Sequence, residues 1–286
     1  MKTGWIGLGA MGWPMAGHLH RAGQLTHIWN RSREKAEAFA EQHPDVTMAD
    51  SLGSLATAVD VIAVCVSADD DLQAIINDMT SDFRPGQIVV DHSTVSPATA
   101  REIATQLKEI NVGFVDAPVT GGVEGAVKGT LAIMAGGAWD HFHALKPVFA
   151  AYAKVSHHLG PSGCGQAAKA VNQLMVAGIA EAVCESLALM ETLDLPREAM
   201  LELLAGGAAG NWFLDKRGRT MLADEFDVGF APALLLKDLK ICKALCDEAG
   251  FESRVVDLAL TDYAALVKAG EPGRDISALI RQKLTR

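Results

Sequence analysis

Gly7-Leu8-Gly9-Ala10-Met11-Gly12 follows the apolar run Gly4-Trp5-Ile6 and precedes a helix-like stretch over residues 13–22. Strand, glycine loop and helix in that order leave few folds open. The first glycine makes the tight turn, the second lets a pyrophosphate approach the backbone, and the third lets the helix pack on the strand. The helix N-terminus then faces the phosphates. The spacing predicts a dinucleotide site contacted by Gly7, Leu8, Gly9, Ala10, Met11 and Gly12. A Gly-rich turn in an unrelated α/β protein is the plainer alternative.

The next apolar segment, residues 25–29, ends in Asn30-Arg31-Ser32-Arg33, where an NAD enzyme commonly carries an acid for the ribose hydroxyls. No acid stands there. Asn30 can still bond a ribose, while Arg31 and Ser32 suit a 2′-phosphate that an Asp would repel. The segment therefore favours NADP and leaves NAD open. On the alternative reading, Arg31 and Arg33 are solvated charges opening a helix over 34–41.

At 286 residues the chain is long enough for two domains with real cores. Its net charge of −10 argues against a nucleic-acid surface. No charged lead and cleavage site precede the first strand, and the apolar stretch 170–193 is broken by Asn172, Gln173, Glu181 and Glu185, which argues against a membrane span. The five cysteines include no CxxC and fit reduced thiols. The expectation is a cytoplasmic protein. Cys242 and Cys246, one turn apart among apolar residues, read as core. Cys164 reads as a small residue in a tight loop, and no histidine cluster has metal-ligand spacing, so no metal is assigned.

Short β-rich runs at 60–66, 87–91, 113–116 and 131–134 alternate with helical stretches such as 98–110. Alternation of this kind marks a mostly parallel sheet with covering helices. The strand signal stops after Gly160, and helices follow over 166–192, 197–204, 232–249 and 254–269, several with proline at the entrance and glycine past the exit. The division falls at 1–162 and 163–286. The helix from Gln166 is apolar nearly all round, which calls for cover on several sides, from its own domain and from a partner subunit.

Lys169 and Asn172 stand three apart near the start of that helix. Desolvation lowers a lysine's pKa and suits it to proton transfer at a hydroxyl or carbonyl oxygen, with Asn172 able to hold the same oxygen. A snorkelling lysine is the alternative. Residues 116–122, Asp-Ala-Pro-Val-Thr-Gly-Gly, read as a turn with consecutive free N–H groups, a nest for a carboxylate to which Thr120 adds a hydroxyl. Thr94 lies just past a strand's carboxyl end, where doubly wound sheets bind ligands. Lys237 and Asp238 sit in a Leu-rich helix. Trp212, read as a linker residue, either walls a pocket or belongs to the core.

Together these segments resemble the β-hydroxyacid dehydrogenase family, which includes 3-hydroxyisobutyrate dehydrogenases and tartronate, glyoxylate or succinic semialdehyde reductases. The resemblance covers nearly the whole chain. It rests on the glycine loop, the segment 116–122, the segment Gly163-Cys164-Gly165-Gln166-Ala167-Ala168-Lys169-Ala170-Val171-Asn172 and Lys237-Asp238-Leu239. It implies an α/β Rossmann domain followed by an all-α domain, joined by a long interdomain helix, in a homodimer or homotetramer. Lys169 is then the general acid/base with Asn172 its partner, and Thr120, Gly121 and Gly122 cradle a small carboxylate-bearing substrate. Thr94 and Lys237 lie near the nicotinamide, Trp212 lines the substrate site, and Val66, Ser67 and Asp238 join the cofactor contacts. Thr120 replaces the family's common serine, which narrows the site. A non-catalytic cofactor-binding scaffold and an imine reductase are the alternatives on this fold, and Lys169 with Asn172 speaks against both.

Overall fold

The strand-like runs of the first half become nine strands among the described residues, which are 1–227 and 229–284 of a computed structural model. They are β1 (Thr3–Ile6), β2 (Leu25–Trp29), β3 (Thr47–Met48), β4 (Val61–Val64), β5 (Ile88–Asp91), β6 (Gly113–Asp116), β7 (Val119–Thr120), β8 (Leu131–Gly137) and β9 (Ala153–His158). Between them run α1 (Gly12–Arg21), α2 (Arg33–Gln42), α3 (Leu52–Ala58), α4 (Asp69–Met79), α5 (Pro97–Glu109), α6 (Gly122–Lys128) and α7 (Trp139–Phe149). The spatial order is β3-β2-β1-β4-β5-β6-β8-β7, with β9 beside β8. Strands β1 to β6 pair in parallel, and β8 runs antiparallel to β6 and β7.

Burial on both faces explains why these strands read as continuous apolar runs. Trp5, Val61, Ala63 and Val90 enter one core, whereas Ile6, Ile62, Val64 and Val89 enter another. Helix starts are set locally. Ser96 caps α5 by accepting from Thr99 N with Pro97 at the first turn, and Ser51 and Ser54 make a reciprocal capping box on α3. The order reverses between β1 and β4, and at such a switch point the crevice beyond the strands' carboxyl ends is where ligands bind.

The chain divides into two units, Met1–Lys169 and Ala170–Arg286. Helix α8 (Cys164–Thr192) starts in the first and continues into the second, which adds α9 (Arg197–Gly206), α10 (Trp212–Leu222), α11 (Pro232–Ala249), α12 (Arg254–Lys268), a 3-10 turn (Ile276–Leu279) and α13 (Ile280–Leu284). Trp212 and Cys164 lie elsewhere than their sequence neighbourhoods suggest. Trp212 does not lie in a linker; it opens α10, whose cap is Asn211 accepting from Leu214 N at 2.9 Å. The polar run Asp215 to Thr220 hides the buried Phe213, Leu214 and Met221. Cys164 is the first residue of α8, not a loop residue.

In α8, Ala177, Ala180, Cys184 and Leu187 enter the second unit's core at helical spacing. Its length and apolar composition alone would allow a membrane crossing, a test that the core helix of a soluble protein also passes. Val171, Met175 and Leu189 on the same helix are exposed.

The end of the second unit is held by charge. Lys283 of α13 has a side chain only 3% exposed, and its ammonium lies 2.5 Å from Asp262 Oδ2, 2.6 Å from Glu181 Oε2 and 3.0 Å from Glu185 Oε1. Burial draws the Lys283 pKa down, but the hydrogen bonds to Asp262, Glu181 and Glu185 outweigh it and hold the group above a lysine's ordinary value. Its contribution is therefore complete below about pH 10.5 and is lost as pH rises through the elevated value. Lys283→Met strands two buried carboxylates, so urea unfolding should show a loss of about 3–5 kcal/mol. A loss below about 1 kcal/mol would show that the cluster holds nothing together.

Candidate active site

Five strand ends lie abreast: Trp29 beside Ile6, Ile6 beside Val64, Val64 beside Asp91 and Asp91 beside Asp116. The residues that follow them, Asn30, Gly7, Cys65, His92 and Ala117, consequently leave the sheet along one edge. The predicted cofactor residues of the first unit all belong to this edge.

Each glycine of the loop has its own physical reason. Gly7 turns at φ +97°, and a Cβ there would meet Cys65 O at 2.2 Å. A Cβ on Gly12 would sit 1.9 Å from Gly7 O, so α1 can start this close to the strand only without one. A Cβ on Gly9 would meet nothing within 4 Å, which leaves open space on its outer side. Helix α1 has no side-chain cap and no acid in its first turn, and its basic residues lie at the far end. An uncapped helix start beside open backbone fits a pyrophosphate.

Asn30 is bonded within the protein by both ends of its amide. Its Oδ1 accepts from Leu8 N at 2.8 Å and its Nδ2 donates to Ser32 O at 2.9 Å, which ties the glycine loop to the end of β2. Arg31 is exposed, with Nη1 on Asp71 Oδ1 at 2.7 Å. Ser32 precedes α2 without a side-chain capping bond. Val66 N donates to Ser93 Oγ at 2.9 Å, Ser67 is exposed, and Thr94 is half-buried beyond β5.

Beneath the edge lies a neutral aromatic layer. His92 Nδ1 is 2.7 Å from Ala117 O and must carry the proton there, so Nε2 accepts from Tyr152 OH at 2.8 Å. Trp5 stacks on His92 and donates from Nε1 to Gly7 O at 3.0 Å. Burial lowers the His92 pKa to about 4, against a smaller raising effect of the Ala117 bond, and burial with the Asp91 charge pushes Cys65 up to about 12. His92 is a neutral ring at working pH and Cys65 a thiol.

The segment after β6 is not the free turn expected from sequence. Val119 and Thr120 pair antiparallel with Ile133 and Ala132 as β7, a two-residue strand too short to show as an alternating run in sequence. Gly121 and Gly122, at φ +128° and +65°, make the turn into α6. Lys169 is 8% exposed and donates from Nζ to Val119 O at 2.8 Å.

Sequence reasoning missed the groups that seat α8. Asp116, fully buried, accepts from Gly163 N at 2.9 Å and Gln166 N at 3.0 Å. Burial raises its pKa while those N–H bonds pull it back. Gln166 donates to Ser93 O at 2.8 Å and accepts from Val95 N at 3.2 Å. The available signal was a polar residue inside an apolar run.

In the second unit, Asn172 Nδ2 donates to Gln173 Oε1 at 2.8 Å, Gln173 Nε2 to Asp238 Oδ2 at 2.7 Å, and Lys237 Nζ lies 3.0 Å from Asp238 Oδ1. Asp238 is a buried partner in this chain of contacts. Trp212 is 50% exposed, with the Arg217 guanidinium 5.5 Å from its ring centre, which rules out a core role.

If Asn30 acts by holding Leu8, Asn30→Ala should weaken NADH and NADPH by the same factor, on the order of 5–10-fold, the value of one lost hydrogen bond. Fluorescence titration with both cofactors reads this, and a loss confined to one of them would point to direct ribose contact instead.

Residues 2–160 match the family model described as the NAD binding domain of 6-phosphogluconate dehydrogenase, and residues 163–282 match that described as NAD-binding of NADP-dependent 3-hydroxyisobutyrate dehydrogenase. The chain is 36% identical to a probable 3-hydroxyisobutyrate dehydrogenase-like protein of Arabidopsis thaliana, covering 98% of this chain and 84% of that protein. It is 34% identical to the 2-hydroxy-3-oxopropionate reductase of Escherichia coli, covering 84% and 82%. Mycobacterium tuberculosis 3-hydroxyisobutyrate dehydrogenase, solved with L-serine, superposes with a TM-score of 0.87 at 28% identity over 98% of each chain. The chain belongs to the 3-hydroxyisobutyrate dehydrogenase-like family of NAD(P)-dependent oxidoreductases.

Proposed function

We propose that this protein interconverts a short hydroxy acid and its oxo acid or semialdehyde with NADP, using Lys169 as general acid/base. The observation that carries the reading is the buried Lys169 ammonium, held 2.8 Å from the carbonyl of Val119, directly before Thr120, Gly121 and Gly122. When bound, the nicotinamide supplies the hydride acceptor for oxidation and the donor for reduction. Lys169 takes the hydroxyl proton in oxidation and returns it to the carbonyl oxygen in reduction. Thr120, Gly121 and Gly122 hold the substrate carboxylate, and Thr94 contacts cofactor and substrate. Asn172 partners the lysine, and Trp212 and Lys237 contact substrate and cofactor in the way the family resemblance implies. Exposed Val171, Met175 and Leu189 on α8 support a homodimer or homotetramer, and five free cysteines support a reducing cytoplasm.

Preference for NADP rests on the missing acid after β2. Arg31 keeps donors beyond the one on Asp71, and the Ser32 hydroxyl is not used as a cap. A contact pair of this kind contributes about 1.5–3 kcal/mol, a preference of tenfold or more. The test is a panel of 3-hydroxyisobutyrate, glycerate, threonate, serine and 4-hydroxybutyrate, with their amides, assayed with NADP and NAD. The acids should outrun the amides, and NADP should bind at least tenfold tighter. Amides used as well as acids would remove the carboxylate cradle, and equal cofactor affinities would remove the role of Arg31.

Lys169→Ala should lower kcat at least roughly 10²-fold with cofactor affinity intact. Unchanged turnover would move the proton transfer elsewhere, and lost cofactor binding would make Lys169 structural.

A further inference from the structure

We infer that Asp116 is a positioning residue for the reaction: its buried carboxylate, with Gln166, fixes the first turn of α8 and so the place of the Lys169 ammonium. The inference rests on the reading of Lys169 as proton relay.

The first N–H groups of a helix lack partners within it, and a negative charge there is favoured by the helix dipole. Capping groups ordinarily come from the residue just before the helix. Here the cap comes from a strand 47 residues earlier: Asp116 Oδ1 accepts from Gly163 N and Oδ2 from Gln166 N. A remote cap fixes where the helix begins relative to the sheet, which a local cap cannot do. Gln166 adds a second tie, donating to Ser93 O and accepting from Val95 N in the loop after β5.

The same two segments meet again one turn further on. Val119 lies three residues after Asp116, Lys169 three after Gln166, and Lys169 Nζ donates to Val119 O. Asp116 and Lys169 thus close a ring between β6–β7 and the start of α8. The ring has no slack, because a Cβ on Gly165 would lie 2.5 Å from Asp116 O and 2.6 Å from Met134 O. Removal of the carboxylate lets the first turn move, and misplacement of a proton-transfer group by about 1 Å costs up to 10²-fold in rate. Asp116, with both oxygens on backbone donors, acts through Lys169.

A double-mutant cycle separates positioning from general support of the fold. The kcat of Asp116→Asn is measured in the wild-type and Lys169→Ala backgrounds, with the fastest acid of the panel and NADP. In the wild-type background we expect kcat to fall about tenfold or more, with KM and cofactor affinity within about twofold. In the Lys169→Ala background the same change should cost less than about twofold, since no ammonium remains to be placed. Equal factors in the two backgrounds overturn the inference. So does wild-type turnover in Asp116→Asn while Lys169→Ala is crippled. Wild-type turnover in Lys169→Ala overturns the proton-relay reading itself. If Asp116→Asn fails to fold, Gln166→Leu replaces it: a smaller loss seen only with Lys169 present supports the inference, and equal losses overturn it.

Discussion

Backbone meets backbone at the carboxyl edge of the sheet, and the rest of the first unit is arranged around that contact. A Cβ on Gly12 would lie 1.9 Å from the carbonyl of Gly7, and a Cβ on Gly165 would lie 2.5 Å from that of Asp116. Two helices, α1 and α8, therefore begin against the sheet with no side chain between. Close seating places the start of α1 directly after β1, beside the switch point between β1 and β4, and brings Lys169 of α8 onto the segment after β6. Larger residues at either glycine would push a helix start away by about the width of a methyl group, a displacement that proton transfer does not tolerate.

Charge at this edge is managed with backbone groups. The chain carries a net charge of −10, so its overall field repels anionic ligands, and attraction must be local. An α1 start free of acids, an exposed Arg31 and a buried Lys169 supply it. The carboxylates that end β5 and β6, Asp91 and Asp116, accept from backbone N–H groups of Ser93, Gly163 and Gln166. With His92 neutral and Cys65 a thiol, the layer under the edge adds no charge of its own.

What the sequence made legible was local. The glycine loop names its roles because each glycine answers a constraint within a few residues, and α11 is read over 232–249 because proline and an αL glycine mark its ends. The hidden features are those whose partners are distant in the chain. Thr120 looks like part of a turn until β8 pairs with it, and the bond from Leu8 N to Asn30 cannot be read from either residue's own neighbourhood. The α10 helix escapes notice because its buried Phe213, Leu214 and Met221 are separated by a charged run.

Lys283 shows why this limit is physical. Lys283, with Arg281 and Arg286 close by in sequence, reads as one of several solvated charges. Its partners Glu181, Glu185 and Asp262 lie on two other helices, and nothing local to any of them points to Lys283. Only the packing of α8, α12 and α13 buries Lys283, Glu181 and Asp262 together, with Glu185 at the rim. The same holds for Asp116: a strand-ending aspartate becomes a helix cap only when Gly163, 47 residues later and just before α8, arrives at it. Single residues therefore reveal the chemistry this family can perform, and long-range packing decides which residues hold that chemistry in place.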